Sequence, residues 1–367
     1  MFSRYLFSWK KLSEIIILLG GSMIVFLALH TLAQFVLPKY SFTDVLITCT
    51  SDQDEKNCYK KQLLDLADKQ GVRAAMETIQ MSKNKFPDLY YKCHEISHLL
   101  GMRGFEETKD VVNAINLTSD PALCLHGYLH GVLTAYFETT FTPDVNLATL
   151  AHAACGQFSQ AQLKKNSDHS CYHGVGHGLA IATDFDLPQA LHYCDSISKD
   201  KKIINNCYNG VFMENAWLAR TDDMHSHHHI SSAYFKVGDP SYPCKQLPEK
   251  YMPMCAIIVP QQYFYEHAGN KNIIATSHEM FAYCRMNMPL AYQHACFYGI
   301  GEITAHATGL NHKETVIENC LQGASWDERN ECFRAVVQRY TWVDTNQARD
   351  FCNQIPDEHK KTCDALL

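Results

Sequence analysis

The sequence predicts an all-α fold of disulfide-stapled helical-hairpin repeats, an α-solenoid or compact superhelix, behind one N-terminal transmembrane helix. Three observations support this prediction. A short sequence motif that begins with cysteine, here called a word, recurs along the chain. A second cysteine regularly stands shortly before the next word. Alternating apolar and polar runs bounded by hairpin turns, which are typical of strands, do not occur in the sequence. Recurrence over about 20 to 50 residues is typical of repeat folds.

The recurring words define the repeat. Their spacing runs from 31 to 48 residues, and the shorter values match a helical hairpin. Cysteines close to each other along the chain then suggest staples between consecutive helices, since a disulfide across a short loop joins the two helices on either side. The words begin at Cys58, Cys93, Cys124, Cys171, Cys207, Cys255, Cys296 and Cys332. The predicted pairs are Cys49/Cys58, Cys155/Cys171, Cys194/Cys207, Cys244/Cys255, Cys284/Cys296, Cys320/Cys332 and Cys352/Cys363, with Cys93 and Cys124 left to bridge neighbouring repeats.

The N-terminus predicts three regions. Residues 1–12 form a basic tail, and residues 13–37 are apolar over the length needed to cross a bilayer. Because basic flanks stay in the cytoplasm, residues 38–367 are expected in the periplasm or outside the cell, as one Cys/His-rich repeat domain. All 16 cysteines lie in this region, and disulfides persist in oxidising compartments. A cleavable signal peptide is the alternative to a signal-anchor.

The composition limits the classes of binding partner that we expect. The 367-residue chain is 46% apolar and 19% charged, as expected for a globular protein with a large core. A net charge of −7 offers no general basic surface, so no nucleic-acid partner is expected. The 16 cysteines and the 20 histidines are unusually numerous, and the histidines suggest metal chemistry.

Histidine pairs occupy three consecutive repeats and none of the others. Two histidines four residues apart lie on one face of a helix, and both imidazoles can then reach one metal ion. Glycines inside these words cost about 1 kcal/mol each in a helix, which close backbone packing or a bound ligand would offset. Imidazole ligands suit zinc, copper or iron, and the sequence does not distinguish these ions. The predicted metal ligands are His94, His98, His126, His130, His173 and His177.

The first histidine pair also fits a known motif. His94-Glu95-Ile96-Ser97-His98 resembles the HExxH segment of zincin metalloproteases over five residues. That resemblance implies two zinc-binding histidines and Glu95 as general base. The third ligand of the metzincin pattern would fall at Gly104, which cannot bind metal. The repeat offers another origin for the match, because Gly127 and Gly174 stand at the position of Glu95 in the sibling words.

These observations predict a membrane-anchored extracytoplasmic metal-binding protein that acts as a metalloenzyme. The metal would activate water or oxygen, with Glu95 or Glu214 handling protons. One alternative is a non-enzymatic repeat module that binds a protein or peptide on its concave face, with structural histidines. Another is a metal carrier or buffer in which the histidine-rich stretch His225–His229 catches metal.

Overall fold

The computed structural model describes Leu46, Cys49 and nine longer stretches of the chain. Residues 51–367 form one compact unit, and only Leu46 and Cys49 are described in the other unit, residues 1–50. All regular structure in the described stretches is helical, which confirms the all-α prediction. The described stretches are 55–82, 87–120, 123–142, 144–156, 167–219, 232–267, 273–308, 312–343 and 345–367.

Long and short helices alternate over most of the chain, as the hairpin repeat predicts. Odd-numbered helices are the longer members from α3 to α15, and each is preceded by a shorter helix. The helices are α1 Glu55–Gln70, α2 Val72–Ser82, α3 Pro87–Thr108, α4 Val111–Ile115, α5 Gly127–Thr140, α6 Leu147–Gly156, α7 Ser167–Ala182, α8 Leu187–Ile197, α9 Lys201–Trp217, α10 Tyr242–Gln246, α11 Met252–His267, α12 Ile273–Asn287, α13 Leu290–Thr308, α14 Lys313–Cys320, α15 Trp326–Val343, α16 Thr345–Gln354 and α17 Lys360–Asp364.

The seven long helices α3, α5, α7, α9, α11, α13 and α15 pack side by side in chain order. Residues from distant members of this row also meet. The His94 ring on α3 lies 5.9 Å from the His306 ring on α13, and the His169 ring on α7 lies 4.7 Å from Trp342 on α15. The row therefore curls back on itself and encloses an interior, where the candidate site lies.

Disulfides join neighbouring helices as the cysteine spacing predicts. Six of them connect cysteines 11 to 16 residues apart, and the seventh spans 31 residues. Closing a loop of such length stabilises the folded chain by about 2–4 kcal/mol in the chain-entropy model. Cys49 and Cys58 are disulfide-bonded as well. The seven confirmed pairs are Cys93–Cys124, Cys155–Cys171, Cys194–Cys207, Cys244–Cys255, Cys284–Cys296, Cys320–Cys332 and Cys352–Cys363.

Glycines allow the long helices to approach closely beside the histidines. A Cβ atom on Gly131 of α5 would lie 1.9 Å from the backbone oxygen of His98 on α3. A Cβ on Gly210 of α9 would lie 2.0 Å from the backbone oxygen of His173 on α7. Both contacts are closer than any side chain tolerates, so only glycine fits. The expected close backbone packing is confirmed, and it fixes the backbone that carries these histidines.

Two sequence predictions lie outside the described residues. They are the transmembrane segment 13–37 with its basic tail 1–12, and the histidine-rich stretch His225–His229. None of the described helices combines the length and the apolar character needed to cross a membrane.

Candidate metal centre

Five buried histidines meet where α3, α5 and α7 pack together. Each exposes 5% of its surface or less. α3 and α7 each contribute a pair four residues apart, because that spacing places both side chains on the face turned to α5. The His130 ring on α5 lies in the middle, with its centroid 4.8 to 5.5 Å from the other four rings. The five are His94, His98, His130, His173 and His177.

These side chains form two overlapping groups of three. In each group, one possible ligand atom from every residue lies within 4.8 Å of the others. His94, His98 and His130 make the first group, and His130, His173 and His177 make the second. Three imidazoles on one metal ion with a further position left open is a typical catalytic arrangement for zinc, and imidazole also suits copper and iron.

Two of the histidines are oriented by hydrogen bonds from their outer nitrogens. Nδ1 of His94 donates to the backbone oxygen of Cys124 at 2.8 Å. Nδ1 of His177 donates to Oε1 of Glu214 at 2.6 Å, and both side chains are fully buried. A proton held on Nδ1 leaves the Nε2 lone pair free to bind metal, and such outer partners are typical of metal-binding histidines. Nε2 of His177 accordingly accepts a hydrogen bond from Nε2 of His173 at 2.9 Å.

His130 lacks the orienting hydrogen bonds that His94 and His177 make. Neither of its ring nitrogens has a hydrogen-bond partner among the described residues, although the side chain is buried. A neutral imidazole always carries one N–H, so one buried donor remains unsatisfied, at a cost of about 1–3 kcal/mol. Nδ1 of His173 also has no partner within the described chain. The centre therefore presents bare nitrogens where a metal ion would be coordinated.

Burial keeps three of these histidines, His94, His130 and His173, neutral. It lowers the pKa of His94 to about 4; the hydrogen bond to Cys124 opposes this shift, and the charge of Arg339 adds to it. Burial, reinforced by the neighbouring histidines, lowers the pKa values of His130 and His173 well below the usual range. Neutral imidazole is the form that binds metal, so the centre is ready for metal at neutral pH.

His126 does not pair with His130 in the manner that the sequence predicts. Cys124, Leu125 and His126 have φ values of 56°, 55° and 66°, and α5 begins only at Gly127. This left-handed turn moves His126 off the helical face, so it is half-buried with its ring 6.5 Å from that of His130. Three helical pairs in register were expected, and the structure has two pairs and His130 between them. His126 belongs to neither group of three.

A cavity of about 660 Å³ opens onto the centre. His94, His126, His130 and His173 form part of its wall, and the opposite wall comes from α11, α13 and α15. A volume of this size is typical of a site for a small organic molecule. The lining residues from α9, α13 and α15 include Trp217, Tyr298, Glu302, His306, Arg339 and Trp342.

The wall opposite the histidines carries a charged network. Arg339 donates to Oε2 of Glu302 at 3.2 Å, and the Tyr298 hydroxyl lies 3.2 Å from Oε1 of the same carboxylate. Burial raises the pKa of Glu302, although the charge of Arg339 opposes the shift. Glu302 is therefore a carboxyl group within the cavity whose proton affinity is increased.

The two predicted catalytic glutamates are buried, and neither is among the described residues that line the cavity. Glu95 is buried next to His94, and it is absent from the described lining of the cavity. Its negative charge raises the pKa of His94, against the larger effect of burial. Glu214 is buried too, and its contact to His177 makes it a positioning residue. The structure thus places the Glu214 carboxylate against the centre, while Glu95 acts on His94 through its charge.

Sequence reasoning missed several residues of the site. His169 stands four residues before His173, so the same helical spacing would have revealed it. Trp217 stacks on His177 with ring centroids 5.2 Å apart, and its position three residues after Glu214 was the only available signal. His306 and Arg339 come from distant helices, and no local pattern connects them to the histidine words.

Comparison with known proteins finds no family model, no curated protein and no solved structure that matches this chain.

Proposed function

We propose that the protein binds a transition-metal ion in the histidine centre and uses it on a small substrate that enters the adjoining cavity. One observation carries this proposal. His130 is buried at the overlap of two three-histidine groups, and neither of its nitrogens bonds to a described protein group. A bound ion would take up the lone pair of His130, for which no donor is present among the described residues.

The chemistry that fits is activation of water or oxygen by zinc, copper or iron. Three histidines leave at least one coordination position open, and the cavity leads to it. Glu214 holds the His177 ring in place. Glu302 lines the cavity and has a raised pKa, so it is better placed than Glu95 to exchange a proton with a bound molecule.

The setting of this function follows from the cysteines and the N-terminus. We place residues 38–367 outside the cytoplasm, periplasmic or extracellular, because the disulfides require an oxidising compartment. The apolar segment 13–37 supports attachment to the membrane by one helix. Deep burial of the ligands favours a resident ion over the rapid exchange expected of a carrier. The cavity volume of about 660 Å³ favours a small substrate over a protein or peptide partner.

Elemental analysis of the full chain, purified without a histidine tag, tests the proposal. We expect bound zinc, copper or iron that is lost in His130→Ala and retained in His192→Ala, because the His192 side chain is 80% exposed and lies outside the centre. Circular dichroism and the melting temperature check that both variants fold. A folded wild-type protein that neither contains metal nor gains thermal stability from added metal would overturn the proposal.

A further inference from the structure

We infer that the centre holds two metal ions and that His130, as an imidazolate, binds both of them. This inference rests on the proposed function. The first ion would take ligands from His94, His98 and His130, and the second from His130, His173 and His177. Each ion would then have three nitrogen ligands.

The packing of the helices places His130 between the two pairs. α5 lies between α3 and α7 in the row of long helices and packs against both. Gly131 contacts the backbone of His98 on one side, and Gly174 of α7 approaches the Cα atom of His130 on the other. The His130 ring consequently faces one histidine pair from each neighbour. It is the member that both groups share.

The hydrogen bonds distinguish His130 from His94 and His177. His94 and His177 each commit Nδ1 to a protein oxygen, so each can offer only Nε2 to a metal ion. His130 commits neither nitrogen within the part of the chain that the structure describes. With a single ion bound, one nitrogen of His130 would still carry a buried N–H without an acceptor. With two ions bound, both nitrogens are used.

Binding of the second ion changes the protonation of His130. The N–H bond of the singly coordinated imidazole breaks, its electron pair forms the bond to the second ion, and the proton leaves to the solvent. No oxidant or reductant takes part. The negative charge of the imidazolate then lies between the two cations and reduces their mutual repulsion.

Copper(II) titration of the metal-free full chain tests the inference. We expect two equivalents to bind tightly to the wild type, and one equivalent each to His94→Ala and His173→Ala, which each damage one group. Electron paramagnetic resonance of the wild type with two equivalents should show a signal per copper well below that of either variant. An imidazolate couples the two unpaired electrons and thereby reduces the signal.

The outcomes separate this inference from the proposed function. One equivalent in the wild type would overturn the two-ion centre and leave the metal site intact. Two equivalents with the full, uncoupled signal would overturn the bridge. Absence of tight binding in a folded wild-type protein would overturn both. His192→Ala serves as the matched control and should behave as the wild type, because its side chain is exposed on α8.

Discussion

Glu214 on α9 accepts a hydrogen bond from Nδ1 of His177 on α7 at 2.6 Å, and both side chains are buried. This contact fixes the proton of His177 on its outer nitrogen and aims Nε2 at the centre. Removing such an outer partner typically weakens metal binding about 10–100-fold. We expect this loss in Glu214→Gln, measured as the dissociation constant for zinc by competition with a chelator. Glu138→Gln, an exposed change on α5, is the control. Equal affinities in the two variants would contradict the role of Glu214.

The close contact between α5 and α3 predicts that Gly131→Ala destabilises the protein. The added Cβ would meet the backbone oxygen of His98, which cannot move without shifting the helix. Overpacking of this kind costs about 1–3 kcal/mol or more in the free energy of unfolding. Gly156→Ala is the matched control, because no atom lies within 4 Å of its Cβ position, and we expect a change of at most about 0.5 kcal/mol. Chemical denaturation measures both, and equal stabilities would refute this account of the helix contact.

The buried neutral histidines predict an acid-sensitive metal-free protein. In the unfolded chain His94 takes up a proton below its ordinary pKa of 6.5, whereas in the folded chain it does so only near 4. The unfolded state therefore binds more protons between these values, and stability falls as the pH decreases from about 6.5 towards 4. At about 1.4 kcal/mol per pH unit, His94 alone accounts for a loss of about 3 kcal/mol by pH 4. His130 and His173 shift in the same direction. Urea denaturation at pH 7 and pH 5 measures the effect, and equal stability at both values would exclude it.

The disulfide between Cys93 and Cys124 is expected to support the metal centre as well as the fold. Cys124 supplies the backbone oxygen that orients His94. We expect Cys93→Ala/Cys124→Ala to lose about 2–4 kcal/mol of stability and, in addition, affinity for metal.

Cys352→Ala/Cys363→Ala is the control for this pair. It removes a disulfide between α16 and α17, far along the chain from the histidines, and should lose stability while it keeps the metal affinity of the wild type. Titration of both variants below their melting temperatures separates the two effects. Similar metal affinities in the two variants would count against a role of the first disulfide at the site.

The helical fold and the disulfides were predictable because both follow from short-range spacing. Cys194 and Cys207, for example, are close along the chain, and a single loop brings them together. His173 and His177 likewise share a helical face because they lie four residues apart. The glycines beside them indicated close packing, which Gly176 confirms, because a Cβ atom there would lie 2.1 Å from the backbone oxygen of Cys207.

The residues that line the cavity were harder to predict from the sequence. Arg339 and His306 reach the centre only because the row of long helices curls back, and that curl depends on packing between elements far apart in the sequence. The position of His126 could not be predicted for a local reason. Its spacing to His130 is right for a helix, yet the covalent link at Cys124 accompanies a left-handed turn that repetition alone does not reveal.

That turn links the redox state of the chain to the histidine centre. Three consecutive residues other than glycine hold a left-handed conformation, which costs about 1–2 kcal/mol each and needs an external restraint. The Cys93–Cys124 bond supplies the restraint, and the oxygen that positions His94 belongs to the same turn. Reduction of Cys93–Cys124 is therefore expected to release the turn together with the oxygen that positions His94. A reduced chain should then hold its first histidine group less firmly than an oxidised chain, so that metal affinity would depend on the redox state of the compartment.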